Sequence, residues 1–193
     1  MKKDNFSIAK RFKRESGAGF TLIELVIAIF ILAFATVGVY NAFSTMIVLT
    51  QGISNRFTAA YLAQEGLEII RNMRDTNWIK SQDWKTGLDC SSAACEAYYK
   101  TGTSPDSTDF PLEPYSNNGR VLKIDDNGFY NYTSGQDTKI KRKIIITPTS
   151  NSDAINVSVL VTWKEKDQEC IIIGNNCCSS LCIKAEEYLY NWY

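Results

Sequence analysis

The sequence predicts an α+β protein in which a long N-terminal α-helix, hydrophobic in its first half, packs on a C-terminal antiparallel β-sheet. Three observations lead there. No polar side chain occurs from Leu25 to Ala35, and apolar residues dominate as far as Leu49. Apolar residues then recur three and four apart through Ala59, Leu62, Ala63, Gly66, Leu67, Ile69, Ile70 and Met73. Farther on, Ile155, Val157, Val159, Val161 and Trp163 alternate with Asn156, Ser158, Leu160, Thr162 and Lys164, the period of a strand with one apolar face.

In chain order, residues 1–19 come first. They hold six basic side chains (Lys2, Lys3, Lys10, Arg11, Lys13, Arg14) and two acidic ones (Asp4, Glu15). The whole chain has 21 of each sign, so the remainder carries a net −4. A basic segment ahead of an apolar run has the character of a cytoplasmic membrane flank. With a mildly acidic body behind it, the charge pattern predicts no nucleic-acid contact.

Residues 20–49 are long enough to cross a bilayer, which takes roughly 20 apolar residues. Glu24 lies inside this run, where a charge at mid-bilayer costs about 2.5–3.5 kcal/mol. A secretory signal would use Ala33-Phe34-Ala35 as its cleavage site, but the sequence beyond stays apolar. A plain anchor leaves Glu24 unexplained. Cleavage between Gly19 and Phe20 would supply a cationic α-amine. On a neighbouring molecule offset along the helix axis, that amine could pair with Glu24 and fix the register.

The stretch Gly19-Phe20-Thr21-Leu22-Ile23-Glu24-Leu25, behind its basic leader, resembles the class III signal of type IV prepilins and pseudopilins. The resemblance implies cleavage after Gly19 by a prepilin peptidase, N-methylation of Phe20, and an assembly role for Glu24. It implies a structural subunit rather than an enzyme. Such a subunit is a single-pass protein of the inner (cytoplasmic) membrane before assembly. Afterwards it joins other pilin subunits in a cell-surface filament, with its head outside the cytoplasm. Many major pilins carry proline where this chain has Asn41, which leans toward a minor pilin or pseudopilin. The stretch AAYLAQEGLEIIRNMRDTNW is similar to PilV-like minor pilins. Two alternatives stay open: a pseudopilin of a type II secretion or DNA-uptake machine, and a membrane-anchored surface adhesin that never polymerises.

Residues 50–75 continue the helix with an amphipathic pattern. A single helix from about Thr21 to Arg74 would be roughly 80 Å long at ~1.5 Å per residue. Asp75-Thr76-Asn77 reads as its stop, and Gly38 and Asn41 as places where it could loosen.

Residues 76–193 form the β-rich head. Asn77 to Asn118 reads mostly as loop. Val121–Asp125 and Phe129–Thr133 flank Asp126-Asn127-Gly128, a hairpin signal. Lys139–Thr147 is a strand with Ile140, Ile144 and Ile146 on one face, and Pro148 to Asp153 turns into the alternating strand. Glu169–Ile173 and Ile183–Trp192 suggest a last hairpin around a cysteine-rich loop. Tyr188, Tyr190 and Trp192 share a face there, with packing the favoured reading and an exposed contact surface the alternative. Asn131 and Asn156 begin glycosylation-type triplets.

The six cysteines, Cys90, Cys95, Cys170, Cys177, Cys178 and Cys182, all follow the apolar run and suit disulfides in an oxidising compartment. Cys90 with Cys95 is the pair favoured by its short loop; the remaining connectivity is open, and a four-thiolate zinc site is the rival. The chain has no histidine, so the usual metal ligand and general base are missing. Glu186 and Glu187 point to opposite sides of a strand. No catalytic, cofactor-binding or metal-binding residue is expected; the Asp125–Gly128 run lacks an EF-hand loop.

Overall fold

A computed structural model describes residues 19–90, 94–103, 110–115, 118–150, 153–165, 168–170, 172, 174–177 and 180–192. The leader expected at 1–19, apart from Gly19, lies outside the described residues, as does Cys178. The protein is α+β. Helix α1 (Leu22–Ile79) precedes the strands β1 (Cys95–Glu96), β2 (Glu113–Pro114), β3 (Val121–Ile124), β4 (Tyr130–Asn131), β5 (Gln136–Pro148), β6 (Ala154–Glu165), β7 (Gln168–Glu169) and β8 (Cys182–Tyr190). The chain divides between Val48 and Leu49 into two compact units.

In the first unit every described side chain is exposed. Three of its hydroxyls bond to the helix's own carbonyls: Thr36 donates to Ala33 O, Ser44 to Tyr40 O and Thr45 to Asn41 O. These bonds tie three hydroxyls back to the backbone of a largely apolar cylinder. The loosening expected at Gly38 and Asn41 does not occur, because no proline interrupts the hydrogen-bond ladder. By length and composition α1 can cross a membrane.

The second unit packs the remainder of α1 on the sheet. All strand pairings are antiparallel. The centre is β6, which pairs with β5 from Pro148↔Ile155 to Ile140↔Trp163, and with β8 from Ala154↔Tyr190 to Thr162↔Cys182. Its alternating face does what the sequence predicts: Ile155, Val157, Val159, Val161 and Trp163 are all buried. Ala59, Leu62, Ala63, Gly66, Ile69, Ile70 and Met73 of α1 are buried as well, and the apolar ones join the same core. Each Val or Ile side chain so buried contributes about 1.5–3 kcal/mol. At Gly66 helix and sheet approach closely: a Cβ there would lie 2.8 Å from Val159 Cγ1. The opposite face of the sheet carries a smaller cluster of Ala94, Ile145, Leu160 and Ile172.

The Asp126-Asn127-Gly128 hairpin forms as expected, joining β3 to β4. Asp125 Oδ1 accepts from Asn127 N–H and Phe129 N–H, and Gly128 takes the left-handed conformation (φ 84) that the turn requires.

Four expectations are corrected. Helix α1 ends at Ile79, not Arg74. Ser81 adopts φ 56, Ser81 N–H bonds Trp78 O, and Gln82 N–H bonds Asn77 O, so a Schellman closure stops the helix one turn later than the polar triplet suggests. Asn77, expected to help stop the helix, instead donates from its side chain to Trp84 O and Thr86 O. Beyond the helix end, the described residues up to Asn118 are mostly loop, as expected, with two short strands, β1 and β2, of which β1 pairs with β5.

The last hairpin is not formed between Glu169–Ile173 and Ile183–Trp192. β7 folds back on β6 through Lys164↔Glu169, and β8 takes the other side of β6. Two residues separate β6 from β7 in sequence, so the local closure costs roughly 1 kcal/mol less loop entropy than the longer one. Nor are Tyr188 and Tyr190 packed. They lie on the face of β8 away from α1, and both are more than half exposed, while Leu189 between them is buried.

Candidate functional site

Helix α1 starts with Thr21 as its cap. Glu24 N–H donates to Thr21 Oγ1 at 3.3 Å, and Leu25 N–H to Thr21 O at 3.2 Å. Thr21 followed three residues later by glutamate is the spacing of a capping box. The Glu24 carboxylate also sits in the first turn, where the exposed N–H groups favour negative charge. Sequence reading gave Glu24 a role between molecules and missed Thr21, although the Thr-x-x-Glu spacing was there to be read.

Gly19 and Phe20 precede the helix, and both are exposed. A Cβ on Gly19 would meet nothing within 4 Å, so the chain's own packing sets no requirement for glycine there. Phe20 is 83% exposed. Glu24 is the sole charged residue between Ser16 and Asn55. Around it Leu22, Ile23, Leu25, Val26 and Ile27 are all more than half exposed. A surface of this kind is stable only when another apolar medium takes it out of water, either lipid or other helices.

The head carries the cysteines. Cys90 and Cys95 are paired, with Cα atoms 5.6 Å apart. Cys177 pairs with Cys182 at a Cα separation of 5.5 Å. Cys170 is buried. Among the described residues no group of three His, Cys, Asp or Glu side chains is placed to hold a metal ion.

Glu187 faces α1, where Arg71 Nη2 donates to it at 2.5 Å. Glu186 faces the other way, to Lys184 at 2.8 Å and Asn156 at 2.8 Å. Those two hydrogen bonds hold the Glu186 carboxyl below the usual carboxylate range. The two glutamates are thus split between the sheet faces, as the strand period requires. Of the glycosylation-type asparagines, Asn131 is buried, and its Oδ1 accepts from Thr133 N–H and Ser134 N–H. Asn156 donates to Glu186.

A feature that the sequence reading did not single out lies at the C-terminal end of α1. Trp78, Ser81, Gln82, Trp84, Lys85 and Asn191 line an open cleft of about 630 Å³. Trp78 Nε1 donates to Asn191 Oδ1 at 3.3 Å, and the Trp192 ring meets Trp78 edge-on at 4.6 Å. The available signal was the number of tryptophans near Asn77 and at the C-terminus.

Residues 16–40 match the family described as a prokaryotic N-terminal methylation motif. No curated protein and no solved structure matches the chain.

Proposed function

We propose that this chain is a minor pilin, a type IV pilin-like structural subunit stored in the membrane and assembled into a cell-surface filament through α1. The methylation motif at residues 16–40 supports a type IV pilin-like or pseudopilin precursor and points to a structural subunit. A prepilin peptidase cuts between Gly19 and Phe20, and the new N-terminus at Phe20 is methylated. The head, residues 76–193, then lies outside the cytoplasm, and residues 20–49 leave lipid for the filament core.

The observation that carries this reading is the surface of the first unit. Its large hydrophobic residues from Phe20 to Val48 are all more than half exposed, and Glu24 is the one charge among them. Lipid accounts for the apolar surface but not for the carboxylate. Pairing Glu24 with the Phe20 amine of a neighbour accounts for both, because only one stagger then leaves no isolated charge. Mass spectrometry of the native N-terminus tests the first step. An N-methylated Phe20 is expected; an intact Met1 points to a plain anchor and a start at Thr36 to ordinary secretion, and either result overturns the reading.

A further inference from the structure

We infer that the cleft at the C-terminal end of α1 binds an uncharged, β-linked oligosaccharide. Three of the chain's four tryptophans gather there: Trp78, Trp84 and Trp192. Packing explains two of them. Trp84 is buried, with the Lys85 ammonium over its ring, and Trp78 is half-buried, with the Arg74 guanidinium 4.6 Å from its ring centroid. Trp192 is different: it is 69% exposed at the edge of the cleft, where an indole contributes little to the fold.

The cleft is held in shape without a ligand. Ser81 keeps the left-handed conformation with φ 56, uncommon for a residue with a side chain. Asn77 fixes Trp84 O, and Lys85 N–H bonds Asp83 Oδ1 at 2.9 Å. Asn191 is fixed twice, by its N–H on Asp153 O and by the Trp78 indole on its side chain. The volume falls in the range of small-molecule sites.

Charge and chemistry select the ligand. Asp83 and Lys85 are the two charges lining the cleft, and they cancel. The Ser81 hydroxyl and Gln82 amide line the open cleft, where they can bond to a ligand. A strongly charged ligand gains little from two charges that cancel, and the apolar walls, Trp78 and Trp84, are aromatic rather than aliphatic. A β-linked pyranoside carries its hydroxyls around the ring edge and C–H groups on its flat faces. It can stack on the Trp192 indole while its hydroxyls bond to Ser81, Gln82 and Asn191.

The test is a fluorescence titration of the full chain in a zwitterionic detergent that has no sugar headgroup. Chitohexaose and cellohexaose are the probes. A saturable change in tryptophan emission is expected with at least one of them. Trp192→Ala should weaken it about tenfold or more, Trp192→Phe should retain part of it, and Tyr188→Ala, on the far face of β8, should leave it unchanged. Circular dichroism checks that each variant is folded. No saturable change with either sugar overturns the inference. So does an unaltered titration in Trp192→Ala, and if that variant instead loses filament incorporation, the cleft is a protein contact.

Discussion

The Arg142 guanidinium, fully buried in the core-facing row of β5, lies 3.3 Å from the Glu65 carboxylate of α1. Its Nη1 also donates to Leu62 O at 3.0 Å, and its Nη2 donates to Ala97 O. One side chain therefore ties β5 to the helix and to the segment after β1. Without Arg142 the partly exposed Glu65 carboxylate can turn to water, but the buried Leu62 O and Ala97 O lose their donor, and a buried group left unsatisfied costs about 1–3 kcal/mol. Arg142→Ala is expected to lower unfolding stability by that order, and Arg142→Met by less, since it refills the volume. Urea unfolding followed by tryptophan fluorescence measures both. An Arg142→Ala variant within about 1 kcal/mol of wild type would falsify the tie.

Gly66→Ala sets two effects against each other. Alanine gains roughly 1 kcal/mol of helix propensity over glycine. Its Cβ, however, would meet Val159 Cγ1 at 2.8 Å, Val159 Cγ2 at 3.2 Å and Arg142 Cδ at 3.4 Å. Val159 is a buried β-branched residue in the central strand, and it cannot swing away. Overpacking of this kind costs about 1–3 kcal/mol, so net destabilisation is expected. A raised melting temperature would mean that the helix can lift off the sheet at little cost.

Tyr132 gives a pH signature. Burial pushes its phenol up to about 12 from an ordinary value of 10.0. The unfolded chain releases this proton first, so stability is intact below pH 10 and falls as pH rises toward about 12. The buried Oη has no hydrogen-bond partner among the described residues. Tyr132→Phe should therefore flatten part of the alkaline loss and be neutral or slightly stabilising at pH 7. A variant that loses stability at pH 7 while keeping the full alkaline slope would contradict this.

Peptide mapping without reduction should link Cys90 to Cys95 and Cys177 to Cys182. Each bridge closes a short loop, worth about 2 kcal/mol in the chain-entropy account. Replacing Cys177 and Cys182 by serine should cost that much and leave the β6–β8 pairing intact. Thiol labelling of the unreduced head at these four positions is the outcome that would rule the pairing out.

These contrasts show where the sequence was legible. The alternating residues of β6 and the three-and-four spacing of α1 declare their buried faces, because burial on one side imposes the period. Arg142 breaks such a pattern. In the row Ile140, Arg142, Ile144 it looks like an interruption, and only the nearby Glu65, Leu62 O and Ala97 O make the position habitable. Tyr188 and Tyr190 mislead in the opposite sense: their alternation is real, but whether a face is covered depends on distant segments. The helix end was hidden because Ser81 occupies a left-handed position usually marked by glycine. At the N-terminal end of α1, Gly19-Phe20 and Glu24 were visible at once, while the cap at Thr21 was overlooked beside them.

Two roles for Glu24 separate cleanly by substitution. The Thr21 cap and the capping-box spacing assign it to starting α1, a local task that glutamine performs nearly as well. Pairing with a methylated amine on a neighbour needs the negative charge, which glutamine lacks. Glu24→Gln should thus preserve helix content, membrane insertion and cleavage after Gly19, yet reduce incorporation into filaments as severely as Glu24→Ala. Helix content is read by circular dichroism, and incorporation by immunoblotting sheared filaments against the membrane fraction. If glutamine restores incorporation that alanine abolishes, the carboxylate serves as a cap and the charge-pairing account fails. Thr21→Val completes the comparison: it removes the capping oxygen but keeps the charge, so it should fray the first turn by about 1 kcal/mol while incorporation persists.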